Sequence, residues 1–145
     1  MKSLTKIILI IICTANTWLF ATANTSANQG LGYLNALRTA SGLAPFSAQS
    51  NLIDAAQNHS DYMNTNQSYG HGEDSSLPGY TGSSPSQRAI YAGYFSRKVG
   101  ENVSYGRLTV EGSIDGLFSA IYHRFGFLSP SYDIIGIGIN NNAYT

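Results

Sequence analysis

Between Gly30 and Ala40 the apolar residues Leu31, Leu34 and Leu37 recur at every third position, and Ser41-Gly42 follows. That spacing predicts a short helix stopped by a glycine cap. After "LAPF", a clearer stripe of Leu52, Ala55, Ala56, His59 and Met63 falls at i, i+3, i+4, i+7 and i+11. This is one face of a helix, with Ser50 as the expected N-cap. From Asn64 to Ser84 the periodicity gives way to Gly, Ser, Asn, Pro and Tyr, a long irregular loop of a kind that is often functional in compact domains. "SPSQRAIYAG" restores order, with Ser84 as N-cap, Pro85 at the first helical position, Gln87 closing a capping box and Gly93 as the stop.

Further along, "VGENVSY" alternates with a strand period, placing Val99, Glu101, Val103 and Tyr105 on one side. The acid is therefore expected on the more apolar face. Thr109 can cap a helix whose stripe is Ile114, Leu117, Phe118 and Ile121, with His123 and Arg124 at its end. "DIIGIGIN" reads as a buried strand with close backbone approach at Gly136 and Gly138. No internal repeat is found. Helices interspersed with single strands predict an α/β or α+β sandwich rather than a bundle.

The N-terminus changes the picture of where the chain works. Lys2 and Lys6 flank the start of the apolar run Ile7 to Ile12, Trp18-Leu19-Phe20 follows, and Ala21-Thr22-Ala23 precedes a polar stretch. This is the pattern of a secretory signal peptide with an A-x-A cleavage site. Thr14, Asn16 and Thr17 interrupt the run and no positive cluster follows it, which weighs against a retained membrane anchor. The expected organisation is a leader at 1–23, a linker at 24–30 and one domain at 31–145. The product is secreted or periplasmic, not membrane-bound after cleavage, and is expected to be a monomer.

Cleavage would remove Cys13, the single cysteine. A disulfide framework, a cysteine nucleophile and a thiolate metal site are then all excluded. Basic and acidic residues number 8 each, and Arg97-Lys98 is an isolated pair. A nucleic-acid partner is therefore not expected, since that requires clustered Lys and Arg.

The three histidines differ in setting. His59 lies on an apolar helix face, where a core histidine paired with a neighbour is the ordinary role. His71 sits in "YGHGED" with Glu73 and Asp74 nearby, as a turn residue or a ligand. His123 and Arg124 can each serve a helix C-terminus. Glu101 demands a donor or cation, because a carboxylate on an apolar face loses its hydration; a histidine is a natural partner. The chain has no G-x-S-x-G elbow, H-E-x-x-H zinc helix or P-loop.

Taken in order, "GLAPF", the helix ending in "HSDYM", "GH", "RAIYAGY", "VGENVSYG", "SIDGLFSAIYHR" and "IIGIGI" closely resemble the bacterial branch of the CAP superfamily, the SCP or PR-1-like domains. The resemblance runs from Leu31 to Asn140. It implies a three-layer α-β-α sandwich with a central, mostly antiparallel sheet and a cleft where two histidines and two acids can hold a divalent metal. By motif position His71 and His123 match the two histidines and Glu101 matches the acid of the "GEN" strand, while His59 falls outside the cleft. Those three are the metal-ligand and catalytic candidates.

The chain departs from that pattern at the second acid, where it has Ser119 and Ala120; Glu73 or Asp115 could stand in. Two histidines and one carboxylate can still bind zinc, or another divalent metal, with water in an open position. The chain also stops at Thr145, where relatives continue into another strand. The resemblance implies an extracellular binding or interaction module for a peptide, lipid or cell-surface component. The alternatives are lipid or sterol binding and a metal-assisted hydrolase, with Zn²⁺ on His71 and His123 and with Glu101 as third ligand or general base.

Overall fold

The computed structural model describes the backbone of residues 15–145 and side chains from Ser26 onward. The expected leader at 1–23 lies outside the described residues, apart from the backbone of its last turns.

Helix α1 (Ala15–Ala40) extends well upstream of the helix predicted from Gly30. It ends as expected: Gly42 takes φ 77°, and the Gly42 and Leu43 N–H groups donate to the Thr39 and Arg38 carbonyls at 3.0 Å. A residue with a Cβ is disfavoured in that left-handed position. The short strand β1 (Ser47–Ala48) leads to α2 (Ser50–Asn66). Its N-cap is Gln49, not Ser50: the Gln49 side chain accepts from the Leu52 N–H. A long side chain one residue upstream reaches the same orphan donor.

After the long loop comes α3 (Pro85–Tyr91), with Ser84 capping the Gln87 N–H and Pro85 opening the helix. Gln87 reaches back one residue further than the capping box predicts, accepting from the Ser83 N–H at 2.9 Å. The strand expected over "VGENVSY" pairs only at β2 (Ser104–Tyr105). Thr109 caps α4 (Val110–Ser119) on the Gly112 N–H. His123 and Arg124 do not end that helix, because the backbone turns extended at Ala120 and a separate helix α5 (Ile121–Phe127) begins. "DIIGIGIN" is likewise divided into β3 (Ile134–Ile135) and β4 (Ile139–Asn140), and β5 (Ala143–Tyr144) follows.

Strands β1 and β3 pair in parallel, while β5 lies antiparallel between β2 and β4. On one side of the strands α1 packs on α4, and α4 on α5; on the other α2 packs on α3 and against β4 and β5. Helices thus cover both faces of the strands, the layering of an α-β-α sandwich. Alternation along β5 splits the core: Tyr144 joins Leu34, Phe46, Val110, Ile114 and Phe127, while Ala143 joins Tyr62 and Met63. Burial of each large apolar side chain contributes about 1.5–3 kcal/mol.

Gly136 and Gly138 fulfil the close approach expected of them. A Cβ at Gly136 would collide with the backbone of Leu52, and one at Gly138 with that of Ala56. Only glycine allows the segment between β3 and β4 to lie this near α2. Arg38, at the end of α1, is buried with no carboxylate partner among the described residues and instead donates to the carbonyls of Ala44, Phe127, Ser129 and Tyr132. Its guanidinium also lies 3.7 Å from the centre of the Phe46 ring. Burial lowers its affinity for the proton, and the carbonyl fork and the ring's electron-rich face compensate that desolvation.

Candidate functional site

Three segments meet at the site. Helix α2 carries His59 on its buried face together with Ala55, Ala56, Tyr62 and Met63. It ends at Gln67 in the left-handed conformation, with the Gln67 N–H donating to the Met63 carbonyl, and the chain doubles back. His59 is completely buried, with Nδ1 2.8 Å from Glu73 Oε1 and Nε2 2.8 Å from the Gly70 carbonyl. Both ring nitrogens thus lie within hydrogen-bond distance of an oxygen. The expectation of a paired core histidine is met, and the loop itself supplies both partners.

Glu73 is buried as well and organises the return of the loop. Its Oε2 accepts the Thr81 N–H at 2.7 Å and the Gly82 N–H at 3.2 Å. Two backbone donors and an imidazole compensate the carboxylate's desolvation. Nearby, the Tyr62 hydroxyl accepts the Asp74 N–H at 2.8 Å. Asp74 is held below its ordinary proton affinity by the Ser76 N–H and then the Ser76 hydroxyl. The long loop is therefore tied down along its length.

Arg88, on the inner side of α3, joins the loop to the "GEN" segment. Its Nη1 donates to the His71 carbonyl at 3.0 Å and the Gly82 carbonyl at 3.2 Å. Its Nη2 donates to Glu101 Oε2 at 2.6 Å, and its Nε lies 3.8 Å from Glu73 Oε1. On the other oxygen of Glu101, His71 Nδ1 approaches to 2.8 Å. The side chains form one series of polar contacts, His59, Glu73, Arg88, Glu101 and His71, with the guanidinium between the two carboxylates. Only its last member opens to solvent: the His71 side chain is 55% exposed, against 9% for Glu101.

Of the three residues expected to share a site, the structure brings His71 and Glu101 into direct contact. His123 reaches this region through its main chain, whose carbonyl accepts from Asn102 Nδ2 at 3.1 Å. Its Nδ1 is buried without a hydrogen-bond partner among the described residues. Glu73 and Asp115, the possible substitutes for the second acid, are both engaged elsewhere, Glu73 with His59 and Asp115 accepting the Tyr33 hydroxyl at 2.7 Å. That acceptor raises the Tyr33 proton affinity.

The donor set does not fit a divalent metal. Among the described residues no group of three or more His, Cys, Asp or Glu side chains is arranged to hold an ion. Glu101 has an arginine cation on one oxygen and an imidazole on the other, which leaves little negative charge to offer. What remains is an exposed imidazole oriented from behind by a buried carboxylate. Sequence reasoning offers Arg88 only as one of two arginines, with Arg124, that could pair with Glu101, and not as the hub, since a helix of two turns has too few positions to show a buried stripe.

The sequence profile described as "Cysteine-rich secretory protein family", CAP, matches residues 31–145. Among solved structures, an extracellular protein containing a SCP domain from Bacillus anthracis superposes with a TM-score of 0.80 at 19% identity, over 92% of this chain. The chain spans 42% of that protein's length. An outer surface protein from Borrelia burgdorferi gives a TM-score of 0.60 at 14% identity, covering 92% of this chain and 90% of that one. Among curated proteins none matches. The fold and the extent of the profile match lead to one conclusion: the chain belongs to the CAP, or cysteine-rich secretory protein, family.

Proposed function

We propose that this is an exported CAP domain acting as an extracellular binding module, whose surface presents the exposed His71 side chain to a ligand without a resident metal. The observation that carries the reading is Glu101, both of whose oxygens are engaged within the protein, by His71 and by Arg88. A carboxylate held in this way orients the imidazole and fixes which nitrogen faces outward. His71 Nε2 is then left to accept a hydrogen bond from a ligand, or to donate one when protonated.

Export is supported by the leader-like N-terminus and by the two similar structures, one titled extracellular and the other an outer surface protein. Among the described residues no helix is long and apolar enough to cross a membrane.

The deciding experiment is a calorimetric zinc titration of the purified chain and of His71→Ala, with a protein-hydrolysis assay in the presence and absence of a chelator. The reading predicts no stoichiometric zinc and no chelator-sensitive hydrolysis. One equivalent of zinc bound by the wild type and lost in His71→Ala would overturn it in favour of a metal centre.

A further inference from the structure

Helix α2 has a second, polar face apart from the one that carries His59. Asn58, Asp61 and Thr65 fall on it at i, i+3 and i+7 and line a cavity of about 370 Å³. The long loop contributes Pro78 and Tyr80 to the lining, and the last residue of α3 contributes Tyr91.

The carboxylate and the loop are both held in place. Gln57 clamps the Ile139 backbone through both ends of its amide, at 2.9 and 3.1 Å, and also donates to Asp61 Oδ1 at 2.8 Å. Asn140 donates to the same oxygen at 2.8 Å. On either side of Tyr80, the Pro78 carbonyl accepts from Asn66 at 3.0 Å and the Thr81 N–H donates to Glu73. The lining is thus positioned by its supports rather than by an occupant.

The chemistry of the lining selects the occupant. Asp61 Oδ2 has no hydrogen-bond or ion-pair partner among the described residues, and no Lys, Arg or His lines the cavity. An anion is therefore repelled and a cation favoured. Tyr80 and Tyr91 are 38% and 68% exposed, and among the described residues neither ring stacks on another nor does either hydroxyl form a hydrogen bond. A hard metal ion needs several oxygen ligands, and no group of three or more His, Cys, Asp or Glu side chains is arranged to hold one among the described residues. A primary ammonium is compact and strongly hydrated, so exchanging its water for phenol rings gains little. A methylated ammonium spreads its charge over an apolar surface, which aromatic rings attract through their quadrupoles.

We infer that this pocket binds a quaternary ammonium group, with Asp61 Oδ2 as the counter-charge and Tyr80 and Tyr91 as aromatic walls. None of these residues belongs to the His71–Glu101 site, so the inference stands whatever that site binds.

The test titrates the full chain with choline and, in parallel, with its neutral isostere, in which a tert-butyl group replaces the trimethylammonium. Binding is read at constant ionic strength from the NMR signals of the Tyr80 and Tyr91 rings and the Asp61 amide. Choline should bind about tenfold more tightly than the isostere. Asp61→Asn keeps an oxygen for Gln57 and Asn140 but removes the charge, and should weaken choline about tenfold while leaving the isostere unchanged. Tyr91→Leu, at an exposed position, should weaken choline severalfold, and Tyr91→Phe should restore it. Because the group occurs both free and in a lipid headgroup, sedimentation with phosphatidylcholine and phosphatidylglycerol vesicles separates the sources. Asp61-dependent binding of choline alone identifies a free cation, and binding of phosphatidylcholine vesicles as well identifies the headgroup; both support the proposal. Equal affinity for choline and its isostere would identify an uncharged pocket and overturn it. So would choline binding that Asp61→Asn leaves unchanged, or the absence of any saturable shift of the pocket signals.

Discussion

Arg88 Nη2 lies 2.6 Å from Glu101 Oε2, joining α3 to the "GEN" segment across thirteen residues of sequence. Both side chains are almost completely removed from solvent, so neither can be deleted without leaving the other charge buried.

Arg88→Ala should therefore destabilise the fold by about 3–5 kcal/mol, the usual effect of removing one partner from a buried ion pair. Arg88→Lys keeps the charge and loses the fork that reaches the His71 and Gly82 carbonyls, so its loss should be smaller but measurable. Urea unfolding midpoints at constant slope give both values. A loss below about 1 kcal/mol for Arg88→Ala would show that the pair is not a structural hub.

The two histidines bonded to carboxylates should separate cleanly. His59→Ala leaves the Gly70 carbonyl and Glu73 without their buried partner and should cost about 1–3 kcal/mol. His71→Ala removes a half-solvated ring from the same series of contacts and should move the midpoint little. Equal losses would mean that burial does not distinguish them.

Glycine substitutions test the packing from the opposite direction. Gly136→Ala and Gly138→Ala each drive a methyl into the α2 backbone and should destabilise by about 1–3 kcal/mol or more. Gly32 in α1 has open space around it, so Gly32→Ala should stabilise by about 0.5–1 kcal/mol through helix propensity. Thermal melts of the three variants suffice, and stabilisation by Gly136→Ala would contradict the close approach.

Tyr144 carries a pH signature. Burial, and then the nearby Glu111 carboxylate, raise its proton affinity above the ordinary tyrosine value of 10.0. A group whose folded pKa is raised contributes stability that is complete below the unfolded value and is lost as pH rises through the folded one. Stability should accordingly fall from about pH 10 upward, and Tyr144→Phe should flatten that alkaline limb while losing the hydrogen bond to the Arg107 carbonyl. An identical alkaline limb in both proteins would remove Tyr144 as its source.

Export is checked directly by mass spectrometry of protein recovered from the medium or periplasm of the producing cell. An N-terminus near Asn24 is expected. Intact Met1 in a membrane fraction would contradict it.

Much of the fold was legible because it is written locally. Ser84 and Pro85, Thr109, Gly42 and the Leu52-to-Met63 stripe each act within a turn or two of helix, and each does what its neighbourhood dictates. The "VGENVSY" and "DIIGIGIN" segments have the strand period but pair over only a few residues, since a ladder needs a partner that alternation along one segment cannot reveal. The candidate site was legible in the pairing of His71 with Glu101, because a carboxylate on an apolar face requires a donor. The bridging role of Arg88 between Glu101 and the loop, and the coupling of His59 to Glu73, escaped, since both depend on where the long loop returns. That return is set by backbone N–H groups, which no residue type announces.

The two glycines against α2 do more than permit proximity. Residues two apart in extended chain are separated by about 6.6 Å, and residues four apart on a helix by about 6 Å, so Gly136 over Leu52 and Gly138 over Ala56, in the segment linking β3 to β4, engage at matching intervals. A single contact would fix the distance between that segment and the helix but let one slide along the other. Two contacts at the same pitch act as a key, so α2, with His59 on it, shifts along its axis only if the Gly136–Gly138 segment travels with it.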